Sequence, residues 1–230
     1  YIFGESNTAT IMDGTTQLDS DSASTSVACY VPTIAKTAAG TYDERHEWEV
    51  VKTDDPTSQS GSAGDTLPFT WTIKVTESVF EENFDVAGTI TVANPNPEDA
   101  LVVTLSDVLS DAQAVTIGTC SNGAIYASGK LTVPAAITTV CSYTANDLVY
   151  TDHTKAPNNN TATATLNKID FVATDTIEWA ATVIRGEATL TDLQGPLNLT
   201  ITDSGTWTVP DSYTCSMDST KYTNNYTYDE

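Results

Sequence analysis

Four cysteines, two histidines and a large excess of carboxylates are the groups in this chain that could form bonds, move protons or hold metal. Cys29, Cys120, Cys141 and Cys215 are even in number and show neither a Cys-x-x-Cys pair nor a Cys/His zinc spacing. They predict disulfides made in an oxidising compartment rather than metal ligation. Four cysteines allow three connectivities. Cys120 and Cys141 stand on neighbouring segments separated by a hairpin pattern, so their pairing is the local choice. That leaves Cys29 for Cys215, within one chain or between two.

Catalytic constellations are weak. His46, in Glu44-Arg45-His46-Glu47, and His153 are far apart in sequence, and no Gly-x-Ser-x-Gly elbow accompanies them. Surface histidines are expected in place of a Ser/His/Asp site. Carboxylate pairs such as Asp54-Asp55 and Glu81-Glu82 arise in so acidic a chain without marking a glycosidase. Asp13-Gly14 with Asp19-Ser20-Asp21 lacks the spacing and terminal Glu of a calcium loop. No catalytic residue, no cofactor and no metal centre is expected, and the chain is read as a non-enzyme. Asn159, Asn198 and Asn225 each open an Asn-x-Thr glycan acceptor, and Asn198 falls within a strand pattern, where only an exposed face could be modified.

The charge balance restricts the partners further. Nine basic residues against 31 acidic ones give a formal charge of −22, which opposes binding to nucleic acid or an anionic membrane surface. The acid is spread along the chain, as on a solvated face, where divalent cations could screen repulsion between copies. No apolar run is long enough to span a membrane as a helix. Nor does the sequence open on the basic and apolar regions of a signal peptide, so any such peptide is expected to have been removed already or never to have belonged to this segment.

Strands are the elements that must carry these groups. Period-two alternation marks Trp48–Lys52, Phe69–Val75, Ala87–Val92, Leu101–Leu105, Lys130–Val133, Val140–Thr144, Thr176–Val183, Leu197–Ile201 and Gly205–Val209. Turn chemistry falls between them, in Asn94-Pro95-Asn96-Pro97, Asn122-Gly123, Ser128-Gly129 and Asp203-Ser204-Gly205. Short strands with frequent turns predict an all-β chain of tandem antiparallel β-sandwiches. The tryptophans at 48, 71, 179 and 207 lie in those patterns and are expected in sandwich cores.

A repeated strand gives the chain its organisation. Asn7-Thr8-Ala9-Thr10-Ile11 returns as Asn160-Thr161-Ala162-Thr163-Ala164 and, loosely, as Asn225-Tyr226-Thr227-Tyr228. Three pieces are predicted: residues 1–41, a strand segment with a Ser/Asp-rich turn, a second strand over Ser24–Tyr30 and a linker; residues 42–184, one full sandwich; and residues 185–230, a smaller sandwich that reaches its copy of the strand and lacks the closing one. An unclosed sandwich leaves an edge prone to associate. Residues 1–31 carry a strand of the missing kind, so Asn7, Thr8, Ala9, Thr10, Ile11 and Val27 are the expected strand-exchange residues.

Several segments, taken in order, resemble a known group. Cys29-Tyr30-Val31-Pro32, Lys36-Thr37-Ala38, Thr41-Tyr42, Glu47-Trp48, Val86–Pro97, Cys141-Ser142-Tyr143, Asn160–Ala164, Gly205-Thr206-Trp207 and Tyr213-Thr214-Cys215 are similar to the Ig-like "conserved repeat" (DUF11-like) modules of large secreted repetitive surface proteins. The resemblance implies Ig-like sandwiches at the cell surface and carries over no catalytic residue. The expected function is that of a structural subunit or repeat of an extracellular filament or appendage, with further copies of itself as head-to-tail partners. The alternative is an adhesin module that binds a glycan or a protein through the sandwich-end loops.

Overall fold

The computed structural model describes residues 2–193 and 197–218, and it is almost entirely β. The strand pairings among the described residues are antiparallel, as the alternating patterns predict. Two compact units are present, and neither is a contiguous stretch of chain. The first takes residues 1–42 and 83–180; the second takes 43–82 and the described part of 181–230.

This corrects the expected division at residue 184. Two strands, β3 (Thr33–Asp55) and β4 (Thr66–Ala93), are long enough to contribute one half to each unit. β4 unites the separately predicted Phe69–Val75 and Ala87–Val92 runs, because no glycine or proline break lies between them. Residues 43–82 therefore belong with the C-terminal part of the chain: β15 (Gly205–Thr214) pairs along β4 from Gly205 opposite Val75 to Thr214 opposite Thr66.

In the first unit, β5 (Leu101–Leu109), β7 (Ile125–Ala127), β8 (Lys130–Val133), β10 (Asn159–Leu166) and β11 (Ile169–Thr176) form one sheet in the order β11-β10-β5-β8-β7. A second sheet runs β12-β3-β4-β9-β6, with β6 at Thr116–Cys120, β9 at Thr138–Leu148 and β12 at Glu178–Ile184. Phe84, Val86, Ile90 and Val92 of β4 and Tyr143 of β9 meet Val103, Leu105, Leu109, Leu131, Val133, Ala162 and Ala164 of the other sheet in one buried cluster. Burying each large side chain of this set stabilises the fold by about 1.5–3 kcal/mol. Asn94 closes the strand-end turn, donating its amide to the carbonyls of Asp99 and Val133. Cys120 and Cys141 face each other across β6 and β9 and form the expected disulfide.

One polar group is sealed inside this core. The side chains of Lys36 (β3) and Asp107 (β5) have no exposed surface and pair at 2.6 Å. Asn160, first of the repeated motif in β10, donates its amide to the other Asp107 oxygen at 2.9 Å and to the Val108 carbonyl at 2.7 Å. Lys36 Nζ also lies 3.5 Å from the centre of the Tyr143 ring. Burial lowers the Lys36 pKa and raises that of Asp107, while each charge opposes the shift of the other. Such a pair is tolerable only with its lone pairs and protons satisfied.

The second unit has a smaller core, made by Ile73 and Val75 of β4, Leu190 of β13 (Ala188–Asp192), Ile201 of β14 (Leu197–Ile201) and Val209 of β15, with Trp48, Trp71 and Trp207 packed against it. Trp179 packs against the core of the first unit, so all four tryptophans line cores as expected.

Residues 2–28 fold differently from the expectation. The predicted Ser/Asp-rich turn is a strand, because the chain reverses two residues wide at Gly14-Thr15, where Gly14 adopts φ +59°. β1 (Ile2–Asp13) and β2 (Thr16–Ala28) pair from Ile2 opposite Ala28 to Asp13 opposite Thr16.

Asp107→Ala should leave a buried ammonium without its partner and cost the first unit about 3–5 kcal/mol, read as a lowered midpoint in urea unfolding. Replacing Lys36 by Met and Asp107 by Leu together is expected to cost far less.

Candidate functional site

Ribbon β1–β2 is the strongest candidate. All of its residues are exposed, and among the described residues its strands pair only with each other. A two-stranded hairpin alone is marginally stable in water. This long ribbon carries Phe3, Ile11 and Val27 on its surface.

The expected strand-exchange residues divide between its faces. Phe3, Asn7, Ala9 and Ile11 share one face with Val27, Ala23, Asp21 and Asp19, their respective neighbours across the pair. Thr8 and Thr10 lie on the other, opposite Ser22 and Ser20. One face thus mixes apolar groups and an amide with the carboxylates Glu5, Asp19 and Asp21, and the other is hydroxyl-rich.

The second copy of the motif shows what such a strand does when covered. β10 and β11 form a hairpin with a two-residue turn at Asn167-Lys168, both at positive φ. The same number of residues separates Asn160 from this turn as separates Asn7 from Gly14. Asn160, Ala162 and Ala164 are buried, and Thr161 bonds the Thr174 hydroxyl at 2.9 Å on the outer face. Thr8 opposite Ser22 is the equivalent hydroxyl pair. What differs is the free side: the outer edge of β10 pairs with β5.

The second unit has a short two-stranded sheet and an open groove. Among the described residues, β13 and β14 pair only with each other. The sheet face carrying Ile73 and Val75 continues through Trp71, Phe69 and Leu67 into an open groove of about 540 Å³, lined also by Tyr213, Asp211, Asp54 and Gln59. Trp71 Nε1 is buried with no acceptor among the described residues. Lys52 Nζ stands 4.6 Å from the centre of the Trp71 ring and 3.1 Å from Asp192. Sequence reading passed over Lys36, Asp107, Lys52 and Asp192. The available signal was the similarity of Leu105-Ser106-Asp107-Val108 to Leu190-Thr191-Asp192-Leu193.

The remaining expected sites are scattered. Cys29 is exposed and Cys215 half-buried, and neither belongs to the Cys120–Cys141 bridge. Asn198 is exposed on β14, so its strand position leaves it accessible; Asn159 is half-buried and donates its amide to Asn158. Asn225, like the whole third copy of the motif, lies outside the described residues.

His46 is fixed between two carboxylates, Glu77 at 2.6 Å from Nδ1 and Glu44 at 3.1 Å from Nε2. With both ring nitrogens engaged, the imidazole is an ion-pair member rather than a base aimed at a nucleophile. The Glu77 hydrogen bond raises its pKa, burial opposes the rise, and Glu44 adds to it. His153 stacks on Tyr42 with ring centres 5.1 Å apart.

Because the folded pKa of His46 is raised, its stabilising contribution is complete below the ordinary value of 6.5 and is lost as pH climbs through the folded value. The melting temperature of the second unit should fall over that interval, and His46→Asn should flatten the dependence. An unchanged slope in the variant would remove His46 as its source.

No family model, no curated protein and no solved structure matches this chain.

Proposed function

We propose that this chain is a structural subunit or repeat of an extracellular filament or cell-surface appendage, assembling head-to-tail by strand complementation. The observation that carries the reading is the ribbon: a fully exposed hairpin built like one that closes a sandwich elsewhere in the same chain. It is further supported by the open edge and groove of the second unit. The donor and acceptor surfaces differ, so the contact is heterologous and repeats without closing. In this reading the chain has no catalytic role, resembles the Ig-like surface modules, and joins Cys29 to Cys215 of the neighbouring copy.

Sedimentation and electron microscopy over a range of concentrations test this. Expected are linear oligomers whose association strengthens between about 10 mM and about 150 mM salt, as screening relieves repulsion between copies that each carry −22. Divalent cations should act the same way. Non-reducing denaturing electrophoresis should show multimers that collapse on reduction. Compact monomers under all conditions would overturn the proposal.

The groove favours a second reading. Phe69, Trp71 and Tyr213 beside Asp54, Asp211 and Gln59 combine apolar rings with hydrogen-bonding groups, as a glycan-binding adhesin site would. A monomer whose tryptophan fluorescence responds to oligosaccharides, with the response abolished by Tyr213→Ala, would favour the adhesin. A polymer insensitive to oligosaccharides would sink it.

A further inference from the structure

The buried cluster of the first unit holds the reactants of a covalent bond as well as an ion pair. Lys36 offers a primary amine, Asn160 a carboxamide, and Asp107 a carboxylate that reaches both. One Asp107 oxygen stands 2.6 Å from Lys36 Nζ, and the other accepts from Asn160 Nδ2 at 2.9 Å. The orientation of the amide is fixed, because Nδ2 also donates at 2.7 Å to the Val108 carbonyl, an oxygen that can only accept. A proton carrier therefore lies between an amine and the nitrogen of an amide.

The surroundings suit that chemistry. The Lys36 and Asp107 side chains have no exposed surface and Asn160 is fully buried, so all three are shielded from bulk water. The Tyr143 ring, 3.5 Å from Nζ, covers the lysine, and Leu105, Leu109 and Ala162 belong to the same apolar cluster. Such a site turns a lysine into a nucleophile by disfavouring its charge. Burial lowers the Lys36 pKa and raises that of Asp107, which favours passing a proton from one to the other. Asn160 Oδ1 is buried with no hydrogen-bond partner among the described residues. A buried structural amide ordinarily uses both of its ends; here only the nitrogen is held, by the group that would protonate it.

We propose that Lys36 and Asn160 join in an intramolecular isopeptide bond, with Asp107 carrying the protons. Asp107 takes a proton from the Lys36 ammonium, and the freed Nζ lone pair attacks Cγ of Asn160 to form a C–N bond. Asp107 gives its proton to Nδ2, the Cγ–Nδ2 bond breaks, and ammonia leaves. The carboxylate then takes the surplus proton from Nζ. The products are a neutral amide, a neutral Asp107 and ammonia, so the cost of keeping two charges out of water is removed. The bond spans 124 positions (160 minus 36) and ties β3 of one sheet to β10 of the other. The Cys120–Cys141 bridge, by contrast, joins neighbours within one sheet. This inference is independent of the assembly reading.

Mass spectrometry of the reduced full chain tests it. The intact mass should fall below the sequence value by one ammonia, about 17 Da. Trypsin should leave Lys36 uncut, with its peptide joined to residues 156–168. Asp107→Asn is close in shape but cannot carry the protons, so it should keep its full sequence mass, with circular dichroism confirming the fold. Asp107→Ala and the double replacement of Lys36 and Asp107 both lack the bond, so the difference expected between their urea midpoints is unaffected by it. A wild-type mass that stays at the sequence value after prolonged incubation of the folded chain would overturn the proposal and leave a non-covalent pair. Loss of one water instead, with Lys36 joined to residues 75–130, would make Asp107 the acceptor and overturn it likewise. A Lys36–Asn160 bond persisting in Asp107→Asn would remove Asp107 as the proton carrier.

Discussion

An unpaired strand edge beside a buried ion pair is the constraint on which this structure turns. Lys36 and Asp107 lose their water on folding, and their mutual attraction offsets that loss only when the remaining carboxylate oxygen finds a donor. Asn160 supplies it, and the strand that brings Asn160 also covers the free edge of β5. Edge closure, charge satisfaction and register are therefore achieved by one residue. Shifting β10 by a single position would turn Asn160 outward and present a threonine to the core.

Seen from that pair, the repeated Asn-Thr-Ala-Thr motif has a chemical meaning. Asparagine satisfies the carboxylate, the small alanines let the strand lie close over a crowded core, and the threonines keep the outer face wet. The same composition explains why the ribbon can stand in solvent at all. One face is mostly Ser and Thr, and the acids Glu5, Asp19 and Asp21 punctuate the other, so the apolar surface is broken into small islands. Charge on an edge strand also discourages indiscriminate pairing between ribbons.

Much of the fold was legible because period-two alternation is a local signal. The strands, the Cys120–Cys141 bridge and the core placement of the tryptophans all follow from neighbouring residues. What failed was long-range. Nothing local in Trp48–Lys52 or Phe69–Val75 says that these runs pack with residues after 181, since a continuous strand can serve two cores. The Ser/Asp-rich stretch Thr16–Ser22 looked like a turn because polar composition and an exposed strand give the same sequence signal. Lys36 and Asp107 escaped notice for a related reason: a single charged residue within a strand pattern ordinarily belongs to a solvated face, and only tertiary structure shows its partner.

The same reasoning indicates where evolution of this surface would be constrained. In the first unit, Asn160 acts within one chain, so a compensating change on β5 can accompany any change on β10. Asn7–Thr10 is identical to Asn160–Thr163, yet among the described residues the first stretch pairs only with β2 while the second also covers β5, so the same residues meet a buried acid in one place and solvent in the other.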